Sequence, residues 1–184
     1  LIVVEVNVPP SIETLRERIE QYKTEEEIQK EEVERQRKLL EDQERLRQEN
    51  LQRQANERLL HSFKLILNCL NSIHPGKCNR TEWSAIRSTS NHILGYVTVA
   101  NIENGLIELL NCLSGIYPRM CNRGQWQQIR IVCSNVRNAL SSTHDVRGVL
   151  ISLLNCFRVI FPRRCNRSEW NVIRQTAVTC VSHL

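Results

Sequence analysis

The phrase LNCLNSIHPGKCNRTEW, Leu67 to Trp83, returns as LNCLSGIYPRMCNRGQW (Leu110 to Trp126) and as LNCFRVIFPRRCNRSEW (Leu154 to Trp170). The copies recur at intervals of 43 and 44 residues. A fixed period of this size is the mark of stacked supersecondary units, each too small to bury its own apolar faces.

Upstream of each proline, apolar residues fall on one helical face. Copy one uses Leu59, Phe63, Ile66, Leu70 and Ile73; copy two uses Ile102, Leu106, Leu109, Leu113 and Ile116. Copy three uses Val146, Leu150, Leu153, Phe157 and Ile160. This spacing predicts an amphipathic helix A in each copy. Pro75, Pro118 and Pro162 then stop it, because proline lacks the amide donor and clashes with the preceding turn. Asn79, Asn122 and Asn166 are followed three residues later by Glu82, Gln125 and Glu169, the pattern of a capping box opening a helix B. Helix B carries its own stripe: Trp126, Ile129, Cys133, Val136 and Leu140, or Trp170, Ile173, Ala177, Cys180 and Leu184. Copy one starts the same way with Trp83 and Ile86 and weakens at Ser90. The expected fold is all-α: three tandem helical hairpins over 59–97, 102–140 and 146–184, stacked as a short α-solenoid or a compact bundle. The phrase does not match the patterns of TPR, ankyrin, HEAT or armadillo repeats.

Ahead of the repeats lie two different segments. Residues 1–10, LIVVEVNVPP, alternate enough for one extended segment and end at a proline pair. A lone strand finds no partner within this chain, so it is a disordered tail, or pairs with another chain or with an upstream segment. Residues 11–58 read as a long charged helix, with Ser11 capping its start and Thr24 with Glu27 reading as a second capping box. Ile12, Leu15, Ile19 and Tyr22 are spaced 3, 4 and 3 apart, and Ile28, Val33, Leu39, Leu40, Leu46 and Leu51 follow more thinly. Steps of 11 (Ile28 to Leu39, Leu40 to Leu51) and 7 (Leu39 to Leu46) fit a loose coiled-coil seam. The helix is expected to run on into the first helix A. Charge divides the same way: residues 11–60 hold 11 Lys and Arg against 14 Asp and Glu, whereas residues 61–184 hold 14 against 5.

The eight cysteines include three pairs of one spacing: Cys69/Cys78, Cys112/Cys121 and Cys156/Cys165. An even number at regular spacing predicts one disulfide clasping each hairpin, in an oxidising compartment. Closing such a loop is worth roughly 2–3 kcal/mol on the chain-entropy account. Zinc sites usually want closer cysteine pairs or added histidines, so no metal is expected. Cys133 and Cys180 fall outside these pairs, on the helix B core stripe, and either cross-link copies two and three or stay as buried thiols.

Six arginines recur: Arg80 and Arg87, Arg123 and Arg130, Arg167 and Arg174, each pair seven apart on helix B with a Trp between. They form either a ridge that binds anionic groups or stems that cover and stack on half-buried Trp rings. Asn68, Asn111 and Asn155 are poor mid-helix residues and are expected to bond the turn backbone or the adjacent copy. Asn79 and Asn166 open glycosylation sequons, whereas Gly124 breaks the one in copy two. His61, His74, His92, His144 and His183 occupy unrelated positions, and no phosphate loop, H-E-x-x-H or G-x-S-x-G pattern is present. No enzyme activity and no cofactor are expected.

No apolar run approaches the ~20 residues of a membrane span. The chain begins at Leu1 rather than Met, which leaves room for a leader removed upstream. The expected function is that of a secreted, disulfide-stabilised helical repeat protein that binds other proteins, of effector, venom or secretion type. Its N-terminal helix oligomerises or tethers it. The alternatives are a structural subunit of a fibre, coat or particle, and a binder of polyanions, glycan or nucleic acid, through the arginine ridge.

Overall fold

The computed structural model describes residues 1–3, 9 and 11–184. Most of the extended segment expected at 1–10 lies outside the described residues. The described residues form six α-helices and no strand: α1 (Ile12–Asn71), α2 (Arg80–Leu94), α3 (Ile102–Ser114), α4 (Arg123–Thr143), α5 (Val146–Arg158) and α6 (Arg167–Ser182). A single 3-10 turn, Val99–Asn101, precedes α3. No helix among these residues is long and apolar enough to cross a membrane. The chain divides into two compact units, Leu1–Leu51 and Gln52–Leu184, and α1 contributes to both.

In the first unit the helix is solvated on every side. Ser11 caps it, its hydroxyl accepting from the Thr14 amide at 3.3 Å. The second capping box expected at Thr24 does not form. The Thr24 hydroxyl donates back to the Glu20 carbonyl (2.7 Å), one turn earlier, and the helix passes through without a break. Acid–base pairs three or four apart line it, such as Arg37 with Glu34 and Glu41. Among the described residues none covers its apolar side chains, and Leu15, Ile19, Tyr22, Val33, Leu40 and Leu51 are all exposed.

The second unit is the three hairpins: the end of α1 with α2, then α3 with α4, then α5 with α6. Helix A of each copy ends four residues before its proline, at Asn71, Ser114 and Arg158. Both expected stripes are buried, apart from Val136 and some of their ends, which are half-buried. Phe63, Ile66 and Leu70 of α1 meet the same core as Leu106, Leu109, Leu150, Leu153 and Phe157. The stripe of α2 does not fail at Ser90, which is itself fully buried, and Ile93 continues it. Gly105 of α3 sits where a Cβ would lie 3.0 Å from Ile93 and 3.1 Å from Phe63, so the absence of a side chain lets these elements approach.

Trp83, Trp126 and Trp170 are at most 1% exposed and face one another. All three ring pairs have centroids 5.7 Å apart and meet edge to face, at 63° or 64°. Each ring therefore touches both others, which only a threefold arrangement allows. The third copy returns to the first in other contacts too. The Ser62 hydroxyl of α1 donates to the Cys180 carbonyl of α6 (3.2 Å), and the Cys180 thiol donates to the Ser62 carbonyl (3.3 Å). Among the described residues the three indole N–H groups find no oxygen or nitrogen acceptor. In edge-to-face packing a neighbouring π face is the remaining partner.

Asn79, Asn122 and Asn166 do open helix B, but not as capping-box residues. Each lies in the left-handed region, with φ of 59°, 60° and 60°, and none makes a side-chain cap bond. Asparagine tolerates this region better than other non-glycine residues. The amide so turned reaches the next copy instead. Asn79 Nδ2 donates to the Cys121 carbonyl (3.1 Å), Asn122 to that of Cys165 (3.0 Å) and Asn166 to that of Cys78 (3.0 Å). The bonds run in a cycle, so each corner is tied to both others.

The two roles of this residue separate by substitution. Asn122→Ala loses both the left-handed preference and the inter-copy bond, an expected cost of about 2–3 kcal/mol. Asn122→Gly keeps the backbone conformation, and its expected cost is about 1 kcal/mol. Urea unfolding followed by circular dichroism measures both, and equal costs for the two variants would show that the backbone conformation plays no part.

Candidate functional site

The cycle of asparagine bonds holds three cysteines in register. Cys78, Cys121 and Cys165 each stand just ahead of helix B, one per copy, and their Sγ atoms all lie within 4.8 Å of one another. Cys78 donates to Cys165 across 2.9 Å of sulfur–sulfur separation. That is closer than two thiols ordinarily approach, yet well beyond the ~2.05 Å of a disulfide. The two sulfurs titrate as a pair. Donation to Cys165 pushes the Cys78 thiol up to about 12, and the same bond, received, holds Cys165 below the ordinary thiol value. The trio is half-buried.

This arrangement corrects the expected clasps. All eight cysteines are free thiols, and no pair is at bonding distance. The first cysteine of each copy belongs to helix A and the second to the corner, where the cycle turns it toward its counterparts in the other copies. Cys133 and Cys180 do not meet each other either. Cys180 lies against α1, bonded to Ser62 and close enough to Cys69 to feel its charge. Cys133 is electrostatically coupled to Cys156 and Cys112. Burial raises the thiols of Cys133 to about 12 and of Cys156 and Cys180 to about 11, and lifts Cys69 and Cys112 as well. Cys69, Cys133, Cys156 and Cys180 are buried core thiols, unreactive at neutral pH, and Cys112 lies half-buried at the edge of the same core.

The six arginines split into two sets with different work. Arg87, Arg130 and Arg174 each donate to a carbonyl two residues past the end of helix A, fourteen residues earlier in the chain: Ile73 (2.5 Å), Ile116 (2.6 Å) and Ile160 (2.5 Å). They satisfy carbonyls that the proline-stopped helix leaves open, a cationic cap at the negative end of the dipole. Their stacking partners are not the Trp rings. Arg130 lies 4.0 Å over Tyr117 and Arg174 4.1 Å over Phe161. Arg80, Arg123 and Arg167 are exposed.

Each exposed arginine, with its capping partner and the residue before the proline, lines an open cleft. The clefts measure about 620 Å³ at His74, Arg80 and Arg87, 290 Å³ at Tyr117, Arg123 and Arg130, and 660 Å³ at Phe161, Arg167 and Arg174. The threefold plan thus repeats one cationic cleft three times around the unit.

Asn68, Asn111 and Asn155 are exposed rather than bonded to a neighbouring copy. The only side-chain contact shown for them is Arg158 donating to the Asn155 Oδ1 at 3.2 Å. At the sequons, Nδ2 of Asn79 and Asn166 is the donor of the inter-copy bond, so a glycan there would have to displace it. Comparison with protein-family models, curated proteins and solved structures gave no match to this chain.

The two arginine sets make distinct predictions. Arg130→Met leaves the Ile116 carbonyl without its donor and is expected to cost about 1–3 kcal/mol. Arg123→Ala is expected to stay within about 0.5 kcal/mol of the parent. Urea unfolding distinguishes them, and equal effects would dissolve the division.

Alkaline pH tests the core thiols. The native state keeps protons on Cys133, Cys156, Cys180 and Tyr96 above their ordinary values of 9.0 and 10.0, up to about 11 or 12. Between those limits the folded state binds more protons than the unfolded one, so stability falls as pH rises. The expected result, in reductant, is a urea midpoint that declines steadily from about pH 9 upward. A midpoint flat to pH 11 would show that these groups already lose their protons in the folded protein.

Proposed function

We propose that the chain is an assembly module. Its N-terminal helix self-associates, and the three-repeat unit, a closed compact bundle rather than an open solenoid, supplies a cationic binding surface. The observation that carries the first part is the run Leu15, Tyr22, Val33, Leu40 and Leu51, exposed on one continuous helix. The steps along it are 7, 11, 7 and 11 residues. A step of 7 drifts about 20° one way around an α-helix and a step of 11 about 20° the other. The drifts cancel, so the five side chains form one straight seam. A helix with no partner gains nothing from such a seam, because apolar residues only stabilise when they leave water. Between Glu26 and Glu49 many of the flanking charges are paired within the helix itself, which suits a second copy of the same helix better than a strongly charged partner.

The partner of the repeat unit is a second question. Residues 61–184 carry 14 Lys and Arg against 5 Asp and Glu, a net charge of +9. With three equivalent arginine clefts, this favours an acidic protein segment or a polyanion. The secreted setting expected from the cysteine spacing rested on hairpin clasps. With those thiols turned elsewhere, compartment forms no part of the proposal, and neither does an effector or venom role.

Analytical ultracentrifugation of the full chain tests the seam. The expected outcome is a concentration-dependent oligomer that becomes monomeric in a Val33→Asp, Leu40→Asp double variant of unchanged helicity. A parent chain that stays monomeric at its highest soluble concentration would sink the proposal.

A further inference from the structure

The threefold arrangement delivers one sulfur per copy to a single point, and nothing in the packing described above needs that coincidence. The asparagine cycle engages the backbone carbonyls of the three corner cysteines, leaving the side chains available. An odd number of thiols is also a poor design for disulfides, since one is always left over. The separations fit another use. A tetrahedral zinc–thiolate site has bonds of about 2.3 Å, which places its sulfurs about 3.8 Å apart. The three sulfurs all lie within 4.8 Å of one another, close enough for one ion to reach all three, and Cys78 and Cys165, at 2.9 Å, would part by about 0.9 Å to hold it.

We propose that Cys78, Cys121 and Cys165 form a tripod site for one thiophilic divalent cation of the zinc class. Each repeat supplies one ligand, and the fourth coordination position faces solvent. The donor set selects the ion: three sulfurs and no carboxylate favour zinc and similar metals over magnesium or calcium. The balance is simple. The cation takes three thiolates, three thiol protons leave to solvent, and the complex carries one net negative charge. The surroundings accommodate that charge. The positive ends of α2, α4 and α6 begin two residues beyond the three sulfurs. Lys77 and Arg164 directly precede two of the cysteines.

The asparagine cycle acts as a positioning shell. It fixes the backbone from which each sulfur projects, as outer partners orient ligands in other metal sites. Three protein ligands with an open fourth position is the pattern of zinc sites that bind an exchangeable water or an external donor. The site is therefore suited to accept one further ligand from solvent or from a partner, and not only to staple the corners.

The test uses the full chain, reduced, stripped of metal by a chelator and titrated anaerobically with Co(II), Cd(II) and Zn(II). The expected result is one ion per chain, with sulfur-to-metal charge-transfer absorption for Cd(II) and tetrahedral visible bands for Co(II). X-ray absorption of the zinc-loaded parent is expected to show three sulfur neighbours at about 2.3 Å, a readout that depends on no variant. Cys121→Ser is expected to weaken binding by more than the about 10–100-fold typical of an outer-shell change. Cys133→Ser leaves it unaltered. Asn122→Gly keeps the stoichiometry and weakens affinity by about 10–100-fold. The proposal is overturned if no charge-transfer band develops at one equivalent. It is equally overturned if the band persists with all three cysteines replaced by serine, or if metal-supplemented protein carries a disulfide joining two of them.

Discussion

Three asparagines in the left-handed conformation govern this structure. At each corner the chain must leave a helix stopped by proline and enter the next within a few residues. A left-handed residue makes that reversal, and asparagine is the non-glycine residue that accepts it most readily. A glycine would turn the backbone as well but would carry no amide. Asn79, Asn122 and Asn166 make the turn and also reach the carbonyl of a cysteine in the next copy. Local conformation and inter-copy bonding are thereby joined in one residue, used three times.

The other repeated positions follow from that cycle. Four residues past each asparagine, the three Trp residues meet edge to face at the centre of the unit. Large rings buried against one another carry a large share of apolar stabilisation. The second arginine of each copy, four residues further on, folds back to the end of helix A and closes the hairpin. The first arginine, with no such duty, remains at the rim of a cleft. One threefold plan therefore yields two kinds of potential site: a single one where the copies converge, built of sulfur, and a triplicate one built of guanidinium.

Much of the fold was legible in the residues. The 43- and 44-residue period, the paired stripes, the proline stops and the continuation of the N-terminal helix into the first hairpin all appear in the structure. These are local features, fixed by helix periodicity and by the chemistry of proline. The misreadings share one cause. A capping box at Asn79 and a clasp from Cys69 to Cys78 are contacts within one copy. In the structure the asparagine and the second cysteine engage other copies, and the arginine engages a carbonyl at the helix end. The nearness of Cys78, Cys121 and Cys165 has the same origin: they are a cluster only once three corners are superposed on one axis.

The sequence alone therefore determined the secondary structure, the number of hairpins, and which faces of the helices are buried, because those depend on the spacing of residues a few positions apart. It also determined the uneven charge of the two segments. Only the tertiary structure decided that the third copy meets the first, that the thiols gather by threes and not by pairs, and which arginines are held by carbonyls. Those outcomes depend on the angle at which each hairpin packs against the next. Backbone turn and ring geometry set that angle jointly, and it leaves no periodic trace along the chain.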